Sequence, residues 1–199
     1  ILPRDVSCIY IRQAEPLGLG HAVLCASPVV GNEPFAVMLA DDLIVNDGAS
    51  CLSQMVDAYA SRGNSILAVE RIDLAHTDQY GIVATDEAAA DSALLRVNGI
   101  VEKPKTADAP SSLGVVGRYI LTPRTMDLLR TTGRGAGGEI QLTDAISELL
   151  NFEHVLALEF AGQRYDCGSK LGYLEATVDL ALAHKELGDG FRAILRERV

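Results

Sequence analysis

The sequence predicts an α/β protein built on a largely parallel sheet, and three observations carry that expectation. Aromatic residues make up only 5% of the 199 residues, while Ala, Leu, Val and Gly abound, a composition of helix-covered sheets more than of β-sandwiches. Apolar runs of strand length alternate with segments of helical spacing in the order β, α, β, α, β, which calls for right-handed crossovers between parallel neighbours. One of these runs ends in a pair of acids, Asp41 and Asp42, at the strand end where open α/β sheets gather their ligands.

Each element has its own warrant. Residues 6–13 (VSCIYIRQ) are β-branched and aromatic and read as a strand. Gly18 and Gly20 form a turn into a short helix (AVLCAS) that Pro28 ends. The turn is not the dinucleotide fingerprint, since Val23 stands where a third glycine is required. Taken alone, the glycine pair reads as a tight connection. Residues 35–40 (FAVMLA) are a continuous apolar run, the pattern of a buried strand. Residues 51–60 place Leu52, Met55, Val56 and Tyr59 on one helical face, with Gly63 as the stop. Strands follow at 65–69 and 80–84, then an acidic, Ala-rich hairpin tip at 86–91, and extended pieces at 94–97 and 100–101. Residues 113–121 (LGVVGRYIL) are a strand in which Gly117 leaves room for a ligand or a neighbouring backbone. Pro123 opens a helix at an acceptable first-turn position. The glycine-rich loop at 132–138 has the interval of a phosphate loop, but Glu139 and Ile140 stand where Lys and Ser/Thr are needed. It therefore positions the helix of residues 139–150, whose Ile140, Ile146, Leu149 and Leu150 suit a buried stripe. A strand at 154–160 and an extended piece at 164–166 precede a long helix, on which Leu171, Leu174, Val178, Ala181 and Leu182 recur at the spacing of a core or subunit contact. A final helix covers about residues 191–198.

Composition narrows the function classes. A net charge of −10 disfavours DNA or RNA as a partner, though a small anion in a locally basic pocket is compatible with it. Cys8, Cys25, Cys51 and Cys167 are scattered, with no C-x-x-C pair and no histidine cluster beside them. This reads as reduced thiols of a cytoplasmic protein without a zinc site. No run approaches a membrane span and no signal-peptide pattern appears. The chain starts at Ile1, without Met and almost at once in a strand-like run, which predicts further sequence upstream.

The chemistry centres on residues 97–105 (VNGIVEKPK). Glu102 and Lys103 put an acid and a base side by side at the end of an apolar run. Pro104 biases Lys103 towards an extended backbone, and neighbours in an extended segment point to opposite faces. One position thus offers an acceptor for sugar hydroxyls and a cation for phosphate. A carboxylate at the strand end of Asp41 and Asp42 is a candidate metal ligand, with an Asp that starts a turn or caps a helix as an even alternative. Plainer readings stand beside these. Glu102–Lys103 can be a surface ion pair, worth about 0–1 kcal/mol. Asp166 can be a turn residue, Gln13 can pair edge backbone groups, and Arg118 and Lys170 can be solvated.

The ordered motifs resemble those of the bacterial UTP–glucose-1-phosphate uridylyltransferases, the UDP-glucose pyrophosphorylases. The matching residues are RQ and LGLGHAVLCA within 12–26, LADD at 39–42, YGIV at 80–83 and VEKPK at 101–105, then VGRYIL at 116–121, GGEIQLTDAI at 137–146 and YDCGSKLGYLEA at 165–176. They cover most of the chain from Val6 onward, and GEIQLTDAI and DCGSKLGY set this family apart from the related thymidylyl- and cytidylyltransferases. The resemblance implies a Rossmann-like nucleotidyltransferase (nucleotide-diphospho-sugar transferase) fold, a mixed sheet flanked by helices. It implies that UTP and glucose 1-phosphate are the substrates, that Mg²⁺ is the cofactor, and that the protein is a homo-oligomer, a dimer or tetramer. By motif, Gln13 and Gly18 would contact uracil. Asp41 and Asp166 would bind Mg²⁺ and act in catalysis with Lys103, which would meet the sugar phosphate. Gly81, Glu102 and Gly117 would line the glucose. Asp42 sits where the family varies and receives no role.

The chain departs from the family pattern in one respect. The glycine-rich loop GxGTRxxPxTK and the PKxxLP stretch, which supply a catalytic Arg and Lys, are absent. Residues 1–199 then correspond to the C-terminal two-thirds of one catalytic domain lacking its N-terminal part, with helices at 169–199 available for subunit contact. The chain alone is expected to be inactive. A binding-only remnant that holds a sugar phosphate, and a dTTP- or CTP-dependent pyrophosphorylase, remain alternatives.

Overall fold

The computed structural model describes residues 6–86 and 93–198. Among them, six strands form one mixed sheet in the spatial order β1 (Phe35–Met38), β6 (Leu113–Leu121), β3 (Ser65–Arg71), β7 (Val155–Glu159), β5 (Leu94–Glu102) and β4 (Gly81–Thr85). A separate two-stranded sheet pairs β2 (Asp42–Val45) antiparallel to β8 (Gln163–Asp166). The sheet is mixed, as the family resemblance implies, but it is not largely parallel. Only β3 and β7 run parallel, whereas β1–β6, β3–β6, β4–β5 and β5–β7 are antiparallel. The cause is β6, which is buried at every position and runs against both β1 and β3.

The central strand explains the layers. In β3, Leu67 and Val69 join a core with Val23 of α1 (Leu19–Cys25), Met126 and Leu129 of α4 (Arg124–Thr131), and Ile146 and Leu149 of α5 (Leu142–Leu149). Ile66 and Ala68 point the other way and pack with Cys51 and Met55 of α3 (Cys51–Arg62). Alternating side chains thus enter two cores, so residues 66–69 (ILAV) are apolar without a break. Each fully buried Leu or Ile contributes about 2 kcal/mol of transfer free energy. Helix α3 has the glycine stop read in its sequence and, in addition, a serine cap. Ser50 caps its start by accepting from Ser53 N at 3.2 Å, and Gly63 closes it at φ 68°.

Several expectations are corrected. Residues 6–13 form no strand; they are mostly exposed, and no strand among the described residues offers them a ladder. Strand β1 is shorter than its apolar run and alternates between exposed and half-buried positions, because it lies at the sheet edge. Pro28 does not end the first helix. It sits in the first turn of α2 (Ser27–Val30), where its missing N–H costs nothing. Pro123 is likewise the residue before α4. Helix α5 starts at Leu142, after Glu139 and Ile140 have joined the loop. The pairing of β2 with β8 was not foreseen. The hairpin tip expected at 86–91 lies, apart from Asp86, outside the described residues. Helices α6 (Lys170–Ala183) and α7 (Gly188–Arg196) form, but the α6 stripe is not core: Leu171 is 78% exposed, and Ala176 is the buried residue of the helix.

Candidate functional site

A cleft of about 340 Å³ opens where the carboxyl ends of β1, β5 and β8 approach one another. Asp41, Gly81, Glu102, Lys103, Gly117 and Asp166 all line it. Gln13 and Gly18 do not form its walls, although the neighbouring Leu19 does.

The β2–β8 ladder brings the two acidic segments together by placing Asp42 opposite Asp166. Just beyond the ladder, Cys167 N donates to the Asp41 carbonyl at 2.8 Å. Both candidate carboxylates then border Gly168. A Cβ at Gly168 would stand 3.1 Å from Asp41 Oδ2 and 3.0 Å from Asp166 Oδ1. Gly168 N also donates to Asp166 Oδ1 at 3.0 Å, so the turn reading of Asp166 holds together with its place in the cleft.

Asp42 also borders the cleft but is buried. Its Oδ2 accepts from Gly117 N at 2.7 Å, and its Oδ1 accepts from Arg164 Nε. Arg118 donates through Nη2 to the Asp42 carbonyl, and through Nη1 to the carbonyls of Leu39 and Gly117, each at 2.9 Å. Arg118 is therefore buried, not solvated: its guanidinium donates to carbonyls where the end of β1, the start of β2 and β6 meet. Gly117 cannot carry a side chain here, since a Cβ would lie 2.6 Å from Leu39 Cβ and against the Asp42 carboxylate.

The opposite wall is the end of the β4–β5 hairpin, where Gly81 pairs with Glu102. Thr143 Oγ1 of α5 donates to Glu102 Oε2 at 2.5 Å, fixing that carboxylate. A Cβ at Gly81 would come within 3.4 Å of the same oxygen. Lys103 is not extended. Its φ of 46° makes it the one non-glycine residue with positive φ among the described residues, and its N donates to the Tyr80 carbonyl at 2.9 Å. The left-handed turn costs about 1–2 kcal/mol. It brings Nζ to 3.9 Å from Glu102 Oε1, so acid and base face the same cleft and not opposite sides of a strand. The Lys103 side chain is 56% exposed and that of Glu102 14%, so the pair is a surface ion pair only on its lysine side.

At the rim, Gln13 Nε2 donates to the Gly18 carbonyl at 3.0 Å and lies 3.0 Å from His21 Nδ1. Gly18 has φ 99°, and a Cβ there would collide with Glu139 Cβ at 2.7 Å. The glycine pair is thus a tight connection docked on the loop before α5.

Arg164, Tyr80, Glu70 and Thr143 were not singled out from the sequence. Arg164 stands two residues before Asp166 in an extended segment, hence on the same face. That placement is the signal the sequence offers; the burial of Asp42, which calls for a cation, appears only in the fold. Burial opposes the Arg164 charge, but the hydrogen bond with Tyr80 and the Asp42 carboxylate raise its pKa, so it is permanently protonated. Burial likewise raises the Tyr119 phenol, assisted by the charges of Glu102 and Asp42, and keeps it neutral. Among the described residues, no group of three or more His, Cys, Asp or Glu side chains forms a metal cluster, and all four cysteines are free. Among the described residues, no helix is long and apolar enough to cross a membrane.

The nucleotidyl transferase family model matches residues 3–182. The chain is 46% identical over 180 residues to UTP–glucose-1-phosphate uridylyltransferase 2 of Staphylococcus saprophyticus, covering 90% of this chain and 61% of that protein. It is 50% identical over 169 residues to the UTP–glucose-1-phosphate uridylyltransferase of Pseudomonas aeruginosa, covering 84% of this chain and 60% of that protein. A solved structure of UTP-bound UGPase from Acinetobacter baumannii superposes with a TM-score of 0.89 at 45% identity, covering 98% of this chain and 67% of that one. The chain thus spans about three-fifths of the length of these curated relatives. With the family model running through the sheet, the cleft and most of α6, the chain belongs to the nucleotidyl transferase family.

Proposed function

We propose that the full-length protein joins UTP and glucose 1-phosphate into UDP-glucose with release of pyrophosphate, and that this cleft receives the sugar phosphate. The observation that carries the reading is the convergence of Glu102, Lys103, Gly81 and Gly117 with Asp41 and Asp166 in one cleft. The names of the relatives supply the substrates. An ionised oxygen of the sugar phosphate attacks the α-phosphorus of UTP, and the bond to pyrophosphate breaks. The nucleophile carries no proton to remove, so the protein's tasks are alignment and charge compensation.

In this reading Lys103 Nζ meets the phosphate of glucose 1-phosphate. Glu102, held by Thr143, accepts hydrogen bonds from glucose hydroxyls. Gly81 and Gly117 line the glucose, Gly117 with its backbone packed tightly against Leu39 and Asp42. The Gln13 amide and the Gly18 backbone meet uracil at the rim. Asp41 and Asp166 would hold Mg²⁺: their carboxylate oxygens border one point at Gly168, and hard oxygen donors suit that ion. The charge balance of the cleft agrees, since its carboxylates would otherwise repel two phosphorylated substrates. When bound, Mg²⁺ supplies positive charge to the phosphates. Four free cysteines suit a cytoplasmic setting, and the exposed apolar residues of α6 and α7 suit a homo-oligomer.

The test is pyrophosphate release by the full-length protein with glucose 1-phosphate and UTP, dTTP or CTP in turn. Release with UTP alone is the expected result, and residues 1–199 by themselves should release little. Preference for dTTP or CTP would favour another pyrophosphorylase. Binding of glucose 1-phosphate without release would favour a binding-only protein.

A further inference from the structure

One guanidinium ties the two walls of the cleft together. Arg164 lies on β8, where it pairs with Ile44 of β2. Its Nε donates to Asp42 Oδ1, next to Asp41. Its Nη1 donates to Glu70 Oε1 on β3 at 2.7 Å and to the Tyr80 hydroxyl at 3.1 Å. Its Cζ also lies 5.2 Å from the centre of the Tyr80 ring. Tyr80 in turn precedes Gly81 and accepts the Lys103 N–H through its carbonyl. The Arg164 side chain is only 9% exposed, and its partner Asp42 is 8% exposed. Asp166 of the acidic wall and Gly81 and Glu102 of the sugar-phosphate wall belong to different sheets, and this side chain is a polar link between the sheets, beside those from Gly117 and Arg118 to Asp42.

We propose that Arg164, which lines the cleft beside Tyr80 and Asp42, is a positioning residue for sugar-phosphate binding that acts through those two side chains. Its forked, permanently charged group holds the Tyr80 hydroxyl and the Asp42 carboxylate at the same time. That fixes the distance between the carboxylates at Gly168 and the left-handed turn at Lys103. Lysine cannot reproduce this, because an ammonium is a point charge without the fork. The proposal rests on the cleft being the glucose 1-phosphate site.

The test uses the full-length protein with Tyr80→Phe, Arg164→Lys and, as a control, Ser65→Ala. Tyr80→Phe keeps the ring and removes only the hydroxyl that Arg164 holds. Ser65→Ala deletes a buried hydrogen-bonding group away from the cleft, one that contacts Glu153 and Thr122. A hydrogen bond to a charged group is worth enough that its loss should raise the KM for glucose 1-phosphate about tenfold in both cleft variants. The control should lower the melting temperature to a similar extent with KM unchanged. Calorimetric affinity for glucose 1-phosphate should weaken by the same factor. If the cleft variants lose only melting temperature, as the control does, Arg164 is merely structural and the proposal fails. Wild-type protein that binds glucose 1-phosphate but makes no UDP-glucose would overturn the function, and calorimetry would still decide the role of Arg164. Wild-type protein that neither binds nor reacts would overturn both.

Discussion

Asp41 and Asp42 are sequence neighbours with opposite duties. Asp42 is buried against Arg164, Arg118 and the Gly117 amide, while Asp41 faces the cleft across Gly168 from Asp166. Removing one partner of a buried ion pair strands the other charge, so Asp42→Asn should lower the unfolding free energy by about 3 kcal/mol. Asp41→Asn, on an exposed side chain, should stay within about 0.5 kcal/mol. Urea titration of both variants checks this; equal losses would deny the division. From the sequence, the LADD motif and its strand end marked both acids, but not which one turned inward. That choice is set by an amide on β6 and a guanidinium on β8, contacts separated by 75 and 122 residues. Lys103 shows the same limit. The proline after it argues for an extended backbone, yet the hydrogen bond from its amide to Tyr80 holds the left-handed turn.

At the scale of elements, boundaries set by local chemistry were legible and pairings were not. Helix α3, strand β6 and helix α4 begin and end close to their sequence signals, because caps, glycine stops and β-branched runs act locally. The antiparallel insertion of β6 and the β2–β8 ladder depend on distant partners, so an alternation of strands and helices misjudged their directions. The first turn of α3 carries a pH signature. Burial pushes the Cys51 thiol up to about 11 from the ordinary 9, opposed by the Arg118 charge. Below pH 9 the thiol is neutral in both folded and unfolded chains, and its contribution is complete. As pH rises from 9 towards 11 only the unfolded chain ionises there, so stability falls. Cys51→Ala should flatten that decline in denaturant titrations across this window; an unchanged slope would remove Cys51 as its source. Helix α6 makes a second prediction. Leu171 and Leu174 are exposed and close together on one face. Leu171→Glu with Leu174→Glu should shift a homo-oligomer to a smaller species in analytical ultracentrifugation. An unchanged sedimentation coefficient would place subunit contact elsewhere.

Across the whole molecule, a mixed sheet with helices on both faces leaves the cleft at one rim, where strand ends from two sheets meet. The net charge of −10 belongs to the surface as a whole and says little about that rim. There Lys103 and Arg164 stand among the carboxylates, each with an assigned acid partner. The ordered motifs made the rim residues legible in the sequence. The buried network that supports them was not, because Arg164, Glu70 and Tyr80 meet only in the fold. The central claim is that Asp41 and Asp166 act as a pair in a uridylyl transfer site, and the most direct measurement is Mg²⁺-dependent UDP-glucose synthesis by full-length Asp41→Asn and Asp166→Asn proteins, read with their melting temperatures. The account predicts that each substitution lowers turnover by at least about a hundredfold, the scale of a lost electrostatic contribution to the transition state, while the fold persists. Turnover close to wild type in either variant would contradict it.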